Sequence, residues 1–265
     1  MNDLLRQQDL VNNPSTRVPI CLCLDVSGSM NRIVGGETRD TGRTVFRDGQ
    51  QWNVVEGGVT ALNELVAGVR SFYAALNADE VARYSAEICV VTFSGTSARL
   101  VQDFASLDLQ ADFPDLTADG ETPMGEGVNL ALDRLEARKQ EYKDAGVDYY
   151  QPWLVLMTDG APNGSVAEFR RAVQRTVSME SARKLTTIPI GIGADADMEK
   201  IGQFSQKKPP LRLKEMNFKG FFAWLSQSVS YNAQAMPGEE KKLYSWELDD
   251  GVKRWGEPFQ WFPRS

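Results

Sequence analysis

The chain has 265 residues, 42% of them hydrophobic and 25% charged, enough to bury a full core without disulfide or metal staples. A formal net charge of −7 and a sequence pI of about 4.9 argue against binding to nucleic-acid phosphates, and no basic run offsets that balance. Histidine is absent, so no Ser-His-Asp or Cys-His nucleophile can form within the chain, and a metal would have to be held by oxygen.

The amino-terminal stretch MNDLLRQQDLVNNPSTR lacks the apolar core of a signal peptide, and no run approaches the length of a membrane span. A cytoplasmic, monomer-competent protein without membrane contact is expected. VPICLCLDV (18–26) is apolar on successive positions, the pattern of a strand covered on both faces of a parallel sheet. Cys21 and Cys23 lie in it and Cys89 in a later apolar run, and all three read as small core residues rather than a redox pair. Segment 31–52 is far longer than an ordinary strand-to-helix loop and reads as an insertion, with a β-hairpin at 44–53 turning on Asp48-Gly49. Phe46, Arg47 and Trp52 of that hairpin could rim whatever binds where the first strand ends.

Residues 53–76 then place Val55, Val59, Leu62, Val66, Val69, Tyr73 and Leu76 at three- and four-residue steps, which predicts an amphipathic helix. AEICVVTFSG (86–95) is the next strand. ARLVQDF (98–104) follows it after a tight turn and is expected as an antiparallel edge partner. A second helix is expected from Thr122 as N-cap and Pro123 in the first turn, with Met124, Val128, Ala131, Leu132 and Leu135 on its apolar face. Further strands are read at 152–160 and 186–193 and a weaker one at 211–216, with helices at 165–183, 197–205 and 217–232. This alternation predicts an α/β fold: a doubly wound, mostly parallel sheet of about six strands with one antiparallel edge strand and helices on both faces. Residues 1–15 read as an extension, 16–235 as the domain and 236–265 as a tail. Tyr244, Trp246, Trp255, Phe259, Trp261 and Phe262 in that tail either fold back on the body or anchor an interface.

Ligands of doubly wound sheets bind outside the carboxyl ends of the strands. Three segments bring oxygen atoms to such ends: DVSGS with Asp25, Ser27 and Ser29, TADGETP with Thr122, and MTDGAPNG with Asp159. In this order they resemble the D-x-S-x-S, T, D pattern of the metal-ion-dependent adhesion site of von Willebrand factor type A domains, a Rossmann-like family. The resemblance covers roughly residues 16 to 235. LCLDVSGSM, CVVTFSG, WLVLMTDGAPNG, IPIGIGADADMEKI and FFAWLSQSVS look most like bacterial TerY-type proteins, which are linked to tellurium resistance and related stress systems. Two features depart from the family: Glu121 stands where glycine usually precedes the threonine, and segment 31–52 is inserted beside the site.

The resemblance implies that Asp25, Ser27, Ser29, Thr122 and Asp159 hold a divalent cation, Mg2+ with Mn2+ or Ca2+ as alternatives. It also implies that the cation captures an Asp or Glu carboxylate of a protein partner, such as a kinase or phosphatase of the same pathway. The chemistry is compatible, because three neutral hydroxyls and two aspartates balance one divalent charge and leave attraction for a further anion. A docking site rather than an enzyme is therefore expected. A phosphohydrolase opening with D-x-D would need a carboxylate at position 27, where Ser27 stands. GIGADA (191–196), with Glu215 further on, fits a dinucleotide-binding fingerprint, but it comes late in the chain and reads better as a strand-to-helix turn with Asp195 or Asp197 near the N-cap. A metal-free scaffold that binds through the aromatic tail is the remaining alternative.

Overall fold

The structure is a computed structural model that describes residues 3–47, 50–110, 112–213, 217–234 and 252–254. Helix α1 (Asp3–Asn12) precedes β1 (Val18–Asp25), all eight residues of which are buried. A 3-10 turn (Gly28–Asn31) leads into a two-stranded ribbon, β2 (Ile33–Arg47) with β3 (Gln50–Thr60). Helices α2 (Ala61–Ala78) and α3 (Ala82–Ser85) and strands β4 (Ala86–Ser94) and β5 (Ser97–Gln102) follow. The remaining elements are α4 (Met124–Ala145), β6 (Trp153–Thr158), α5 (Val166–Ser181), β7 (Thr186–Ile192), α6 (Met198–Gly202), β8 (Leu211–Leu213), α7 (Phe218–Gln234) and β9 (Val252–Arg254).

The main sheet runs in the order β5-β4-β1-β6-β7-β8-β9. Its five middle strands are parallel, and β5 is the antiparallel edge expected from its tight turn. Beyond the six expected strands, β9 adds a short antiparallel seventh on β8. It comes from the carboxyl tail, whose six aromatic residues named above lie outside the described residues, as do Asp48, Gly49 and Glu215.

Two-residue periodicity sorts the strands onto two cores. Ile20, Leu22 and Leu24 of β1 join Leu65, Val69 and Phe72 of α2 and Phe218, Phe222 and Leu225 of α7 on one face. Cys21 and Cys23 join Met124, Val128, Ala131, Leu132 and Leu135 of α4 on the other. All three cysteines are buried free thiols. Burial pushes the thiols of Cys23 and Cys89 up, so both stay protonated.

Two helix starts differ from the sequence pattern. Val55 and Val59 lie in β3, and α2 begins only at Ala61. The reason lies in Gly57 and Gly58, which have φ of 83° and 79°. A Cβ on Gly57 would sit 2.8 Å from the Glu37 carbonyl oxygen, and one on Gly58 2.8 Å from Ile33 Cγ2. Thr60 then caps the helix, exchanging bonds with Asn63: its Oγ1 accepts the Asn63 N–H at 3.1 Å and its own N–H reaches Asn63 Oδ1 at 3.0 Å. The hairpin therefore spans residues 33 to 60 rather than 44–53. In α4 the cap position falls to Pro123, and the Thr122 side chain makes no capping bond. That leaves the hydroxyl free for the site described below.

The register of α4 depends on a close backbone crossing. A Cβ on Gly125 would lie 2.3 Å from the backbone nitrogen of Phe169 at the start of α5, where nothing flexible can yield. Gly125→Ala is expected to cost about 1–3 kcal/mol by overpacking, read as a lowered midpoint in urea. An unchanged midpoint would mean that the two helices part freely there.

At the opposite pole, where the parallel strands begin, Glu87 is fully buried between two guanidinium groups. Arg17 Nε donates to it at 3.0 Å, Arg138 Nε at 2.7 Å and the Tyr142 hydroxyl at 2.6 Å. Arg17 also reaches the Asp9 carbonyl at 3.1 Å, which ties α1 to the body.

Candidate metal centre

Every oxygen donor of the site stands where an apolar element ends. β1 stops at Asp25, and the Ser27 N–H turns back to Asp25 Oδ1 at 2.8 Å. The 3-10 turn that follows buries Met30 beneath it and lifts Ser29 toward solvent. β6 stops at Thr158, whose hydroxyl donates to Asp25 Oδ2 at 2.5 Å and so fixes both carboxylate oxygens. The next residue, Asp159, accepts the Ser29 hydroxyl on Oδ1 at 2.7 Å, and Ser29 Oγ lies 3.1 Å from Ser27 Oγ.

The third segment is laced to the first by backbone bonds, Gly28 N–H to the Gly120 carbonyl at 2.9 Å and Asp119 N–H to the Val26 carbonyl at 3.0 Å. It is laced to the second by Asn163, whose Oδ1 accepts the Thr122 N–H at 2.5 Å. Gly160 sits between the segments: a Cβ there would lie 3.5 Å from Thr122 Oγ1 and 4.0 Å from Ser29 Oγ. All five residues singled out in the sequence, Asp25, Ser27, Ser29, Thr122 and Asp159, are thus brought to one place at the carboxyl end of the sheet. Ser29 is exposed and the other four are buried. Glu121 is exposed beside the threonine and leaves this arrangement intact.

The electrostatics of the cluster are unbalanced. Burial pushes the Asp25 carboxyl up to about 6, against the hydrogen bonds from Ser27 and Thr158, and the nearby Asp159 charge adds to the rise. Asp159 is raised as well, mainly by burial, while the Ser29 bond and the Arg32 guanidinium pull the other way. Arg32 itself is engaged by Asp195 at 2.6 Å. Among the described residues no lysine or arginine forms an ion pair with Asp25. No cluster of three histidine, cysteine or carboxylate side chains occurs among them either. The donor set is two carboxylates and three hydroxyls, which fits a hard cation and would not suit a soft one.

Sequence reasoning missed Thr158 and Asn163, which hold Asp25 and the Thr122 segment in position rather than contribute to the motif. Their signal was adjacency, since both lie within MTDGAPNG around Asp159. GIGADA carries β7 into a turn, after which the Asp197 side chain caps α6 by accepting the Lys200 N–H at 3.0 Å, as the N-cap reading expected.

No protein-family model matches the chain, and no curated protein sequence matches it. Solved structures do. A von Willebrand factor type A protein from Catenulispora acidiphila is 17% identical with a TM-score of 0.51, covering 82% of this chain and 43% of its own. The von Willebrand domain of the type V pili tip protein Mfa5 from Porphyromonas gingivalis is 11% identical with a TM-score of 0.55, covering 85% and 99%. The pilus adhesin SpaC from Lactobacillus rhamnosus GG is 12% identical with a TM-score of 0.57, covering 82% and 30%. The chain thus spans less than half the length of the first and third of these proteins. The mixed sheet, parallel from β4 to β8 with the antiparallel β5 beside β4, and the helices around it are consistent with the von Willebrand factor type A fold.

Proposed function

We propose that this chain is a metal-dependent protein-docking module. The observation that carries the reading is the convergence of Asp25, Ser27, Ser29, Thr122 and Asp159 from three loops, with a buried Asp25 carboxylate that forms no ion pair with a cationic side chain among the described residues. Mg2+ is the cation this set would hold, with Mn2+ or Ca2+ as substitutes. When bound, the cation would supply positive charge that attracts an Asp or Glu carboxylate of a partner. The chain's own residues do the rest. Thr158 and the Ser27 N–H fix the Asp25 oxygens, Ser29 holds Asp159, and Asn163 keeps the Thr122 segment against the Asp159 loop.

The same residues speak for holding rather than for catalysis. Both Asp25 oxygens are occupied as acceptors, no histidine exists to act as base, and position 27 carries a hydroxyl where a D-x-D hydrolase has its acid. SpaC, one of the structures named above, is a pilus adhesin, and this supports an interaction role. The TerY-like stretches carry the finer part of the proposal. On that reading the chain is a cytoplasmic adaptor of a bacterial stress or conflict system that brings together proteins such as a kinase and a phosphatase.

The test is affinity capture with the full chain in Mg2+. A partner retained by the wild type is expected to be released by EDTA and missing from Asp25→Ala and Ser27→Ala. Capture that survives the chelator and both substitutions would remove the metal from the mechanism.

A further inference from the structure

The GIGADA segment holds two candidate caps, and Asp197 is the one that serves α6. Asp195 instead accepts a hydrogen bond from Arg32 Nη1 on Oδ2 at 2.6 Å. The two side chains are 38% and 75% exposed, and exposed ion pairs add little to stability. The worth of this pair lies in where it holds a charge. Arg32 closes the 3-10 turn that carries Ser29: its N–H donates to the Ser29 carbonyl at 3.0 Å, and its own carbonyl accepts the Ala61 N–H at 2.9 Å. Its backbone is thus pinned to the metal loop and to α2, and the side chain is the part that can move. β6 and β7 are neighbouring parallel strands, with Thr158 paired to Gly191, so the loops bearing Asp159 and Asp195 leave the sheet side by side. The charges of Arg32 and Asp195 both reach Asp159, the first pulling its carboxyl down and the second pushing it up. Among the described residues, however, the ion pair of Arg32 is with Asp195 and not with the buried Asp159.

Arg212 of β8 fixes the turn that presents Asp195. Its Nη1 donates to the carbonyls of Gly193 and Ala194, the latter at 2.7 Å, and its Nη2 to the Ala196 carbonyl at 3.2 Å. The Gly193 N–H returns to the Leu213 carbonyl at 3.1 Å. One guanidinium therefore anchors three carbonyls around Asp195, which leaves that carboxylate little freedom to follow Arg32 if the side chain swings.

We propose that Asp195 is a latch that holds Arg32 away from Asp159 and so keeps the cation site open, with Arg212 as the residue that positions the latch. The inference rests on the metal-site reading above and names a regulator of that site. Arg32 is a built-in competitor of the cation. Released, its guanidinium would be drawn to the Asp159 carboxylate, a pairing that arginine makes well, and would oppose a divalent ion for the same oxygens. Held on Asp195, its charge is largely offset and the site keeps its negative balance.

The test is calorimetric titration of Mg2+ into four full-length proteins at low ionic strength: wild type, Asp195→Asn, Arg32→Gln and the double variant. Asp195→Asn is expected to bind Mg2+ about tenfold more weakly, the effect of a unit charge moved close to a partly screened site. Arg32→Gln is expected to bind at least as tightly as the wild type. Adding Asp195→Asn to it should change the affinity by less than about threefold, because no arginine remains to be released. Equal weakening by Asp195→Asn in both backgrounds would make Asp195 a plain charge and overturn the latch. An Arg32→Gln protein that binds less tightly than the wild type would do the same, and so would an Asp195→Asn protein that melts well below the wild type in EDTA, since the pair would then serve the fold. Mg2+ binding shown by the wild type and lost in Asp25→Ala would leave the metal-site reading standing in each of those cases. A wild type that binds no Mg2+ removes both.

Discussion

Asp25→Asn is expected to abolish cation binding and, at the same time, to make the cation-free protein at least as stable as the wild type at neutral pH. The folded state holds the Asp25 carboxyl at about 6 instead of 3.8, so ionised Asp25 is a cost to the fold. The sign follows from linkage. Below about pH 3.8 both states are protonated and the cost is absent. It grows as pH rises toward 6, because the unfolded chain gives up its proton first, and it reaches about 3 kcal/mol above that. Asparagine removes the charge and still offers an oxygen to the Ser27 N–H. If the proposed site holds a cation, its charge would offset the same cost in the wild type, and by mass action Mg2+ at 100 times its Kd should add about 2.7 kcal/mol of stability at pH 7.5. That increment should shrink at pH 5, where protons compete for Asp25. The measurement is thermal unfolding of both proteins with Mg2+ and with EDTA at the two pH values. A variant markedly less stable than cation-free wild type at pH 7.5 would show that the carboxylate is already satisfied without a metal.

Glu87→Ala is expected to be among the most destabilising single substitutions in the chain. It removes the shared counter-charge of the Arg17 and Arg138 guanidinium groups, which are 0% and 1% exposed, and leaves them only the partly exposed carboxylates of Asp9 and Glu141. Removing one partner of a buried ion pair costs about 3–5 kcal/mol, because the remaining charge stays desolvated. For a chain of this size that lowers the melting temperature by roughly 10 °C. Glu87→Gln keeps acceptors for part of the network and should lose less. Glu87 opens β4 at the pole opposite Asp25, so whatever Glu87→Ala protein remains folded should bind Mg2+ like the wild type. A loss below about 1 kcal/mol would mean that water reaches the pair.

The contrast between these two buried carboxylates shows what a sequence can and cannot carry. Asp25 was legible because its motif is local: D-x-S-x-S lies within five residues at the end of an apolar strand, and chain order supplies Thr122 and Asp159 as its complements. Glu87 sits in an apolar run, AEICVVTFS, with nothing nearby to mark it. Its partners are 70 and 51 residues away in the chain and become neighbours only when β1, β4 and α4 pack. Thr158 and Asn163 were hidden for the same reason, since what each does depends on a bond to a distant segment.

Helix starts separate the two kinds of information again. Val55 and Val59 match a helical stripe as well as they match a strand, because periodicity counts spacing and is blind to backbone sign. Gly57 and Gly58, in the left-handed region and crowded against Glu37 and Ile33, decided the question through contacts across the ribbon. The apolar strands, the doubly wound α/β class, the antiparallel edge at β5 and the five oxygen-bearing residues were determined by the sequence alone, since each rests on local period or local composition. The convergence of those five at one point, the burial of Asp25 and the ion network around Glu87 were decided only by tertiary structure. They are relations between segments far apart in the chain, and burial and electrostatics acquire values only once those segments have met.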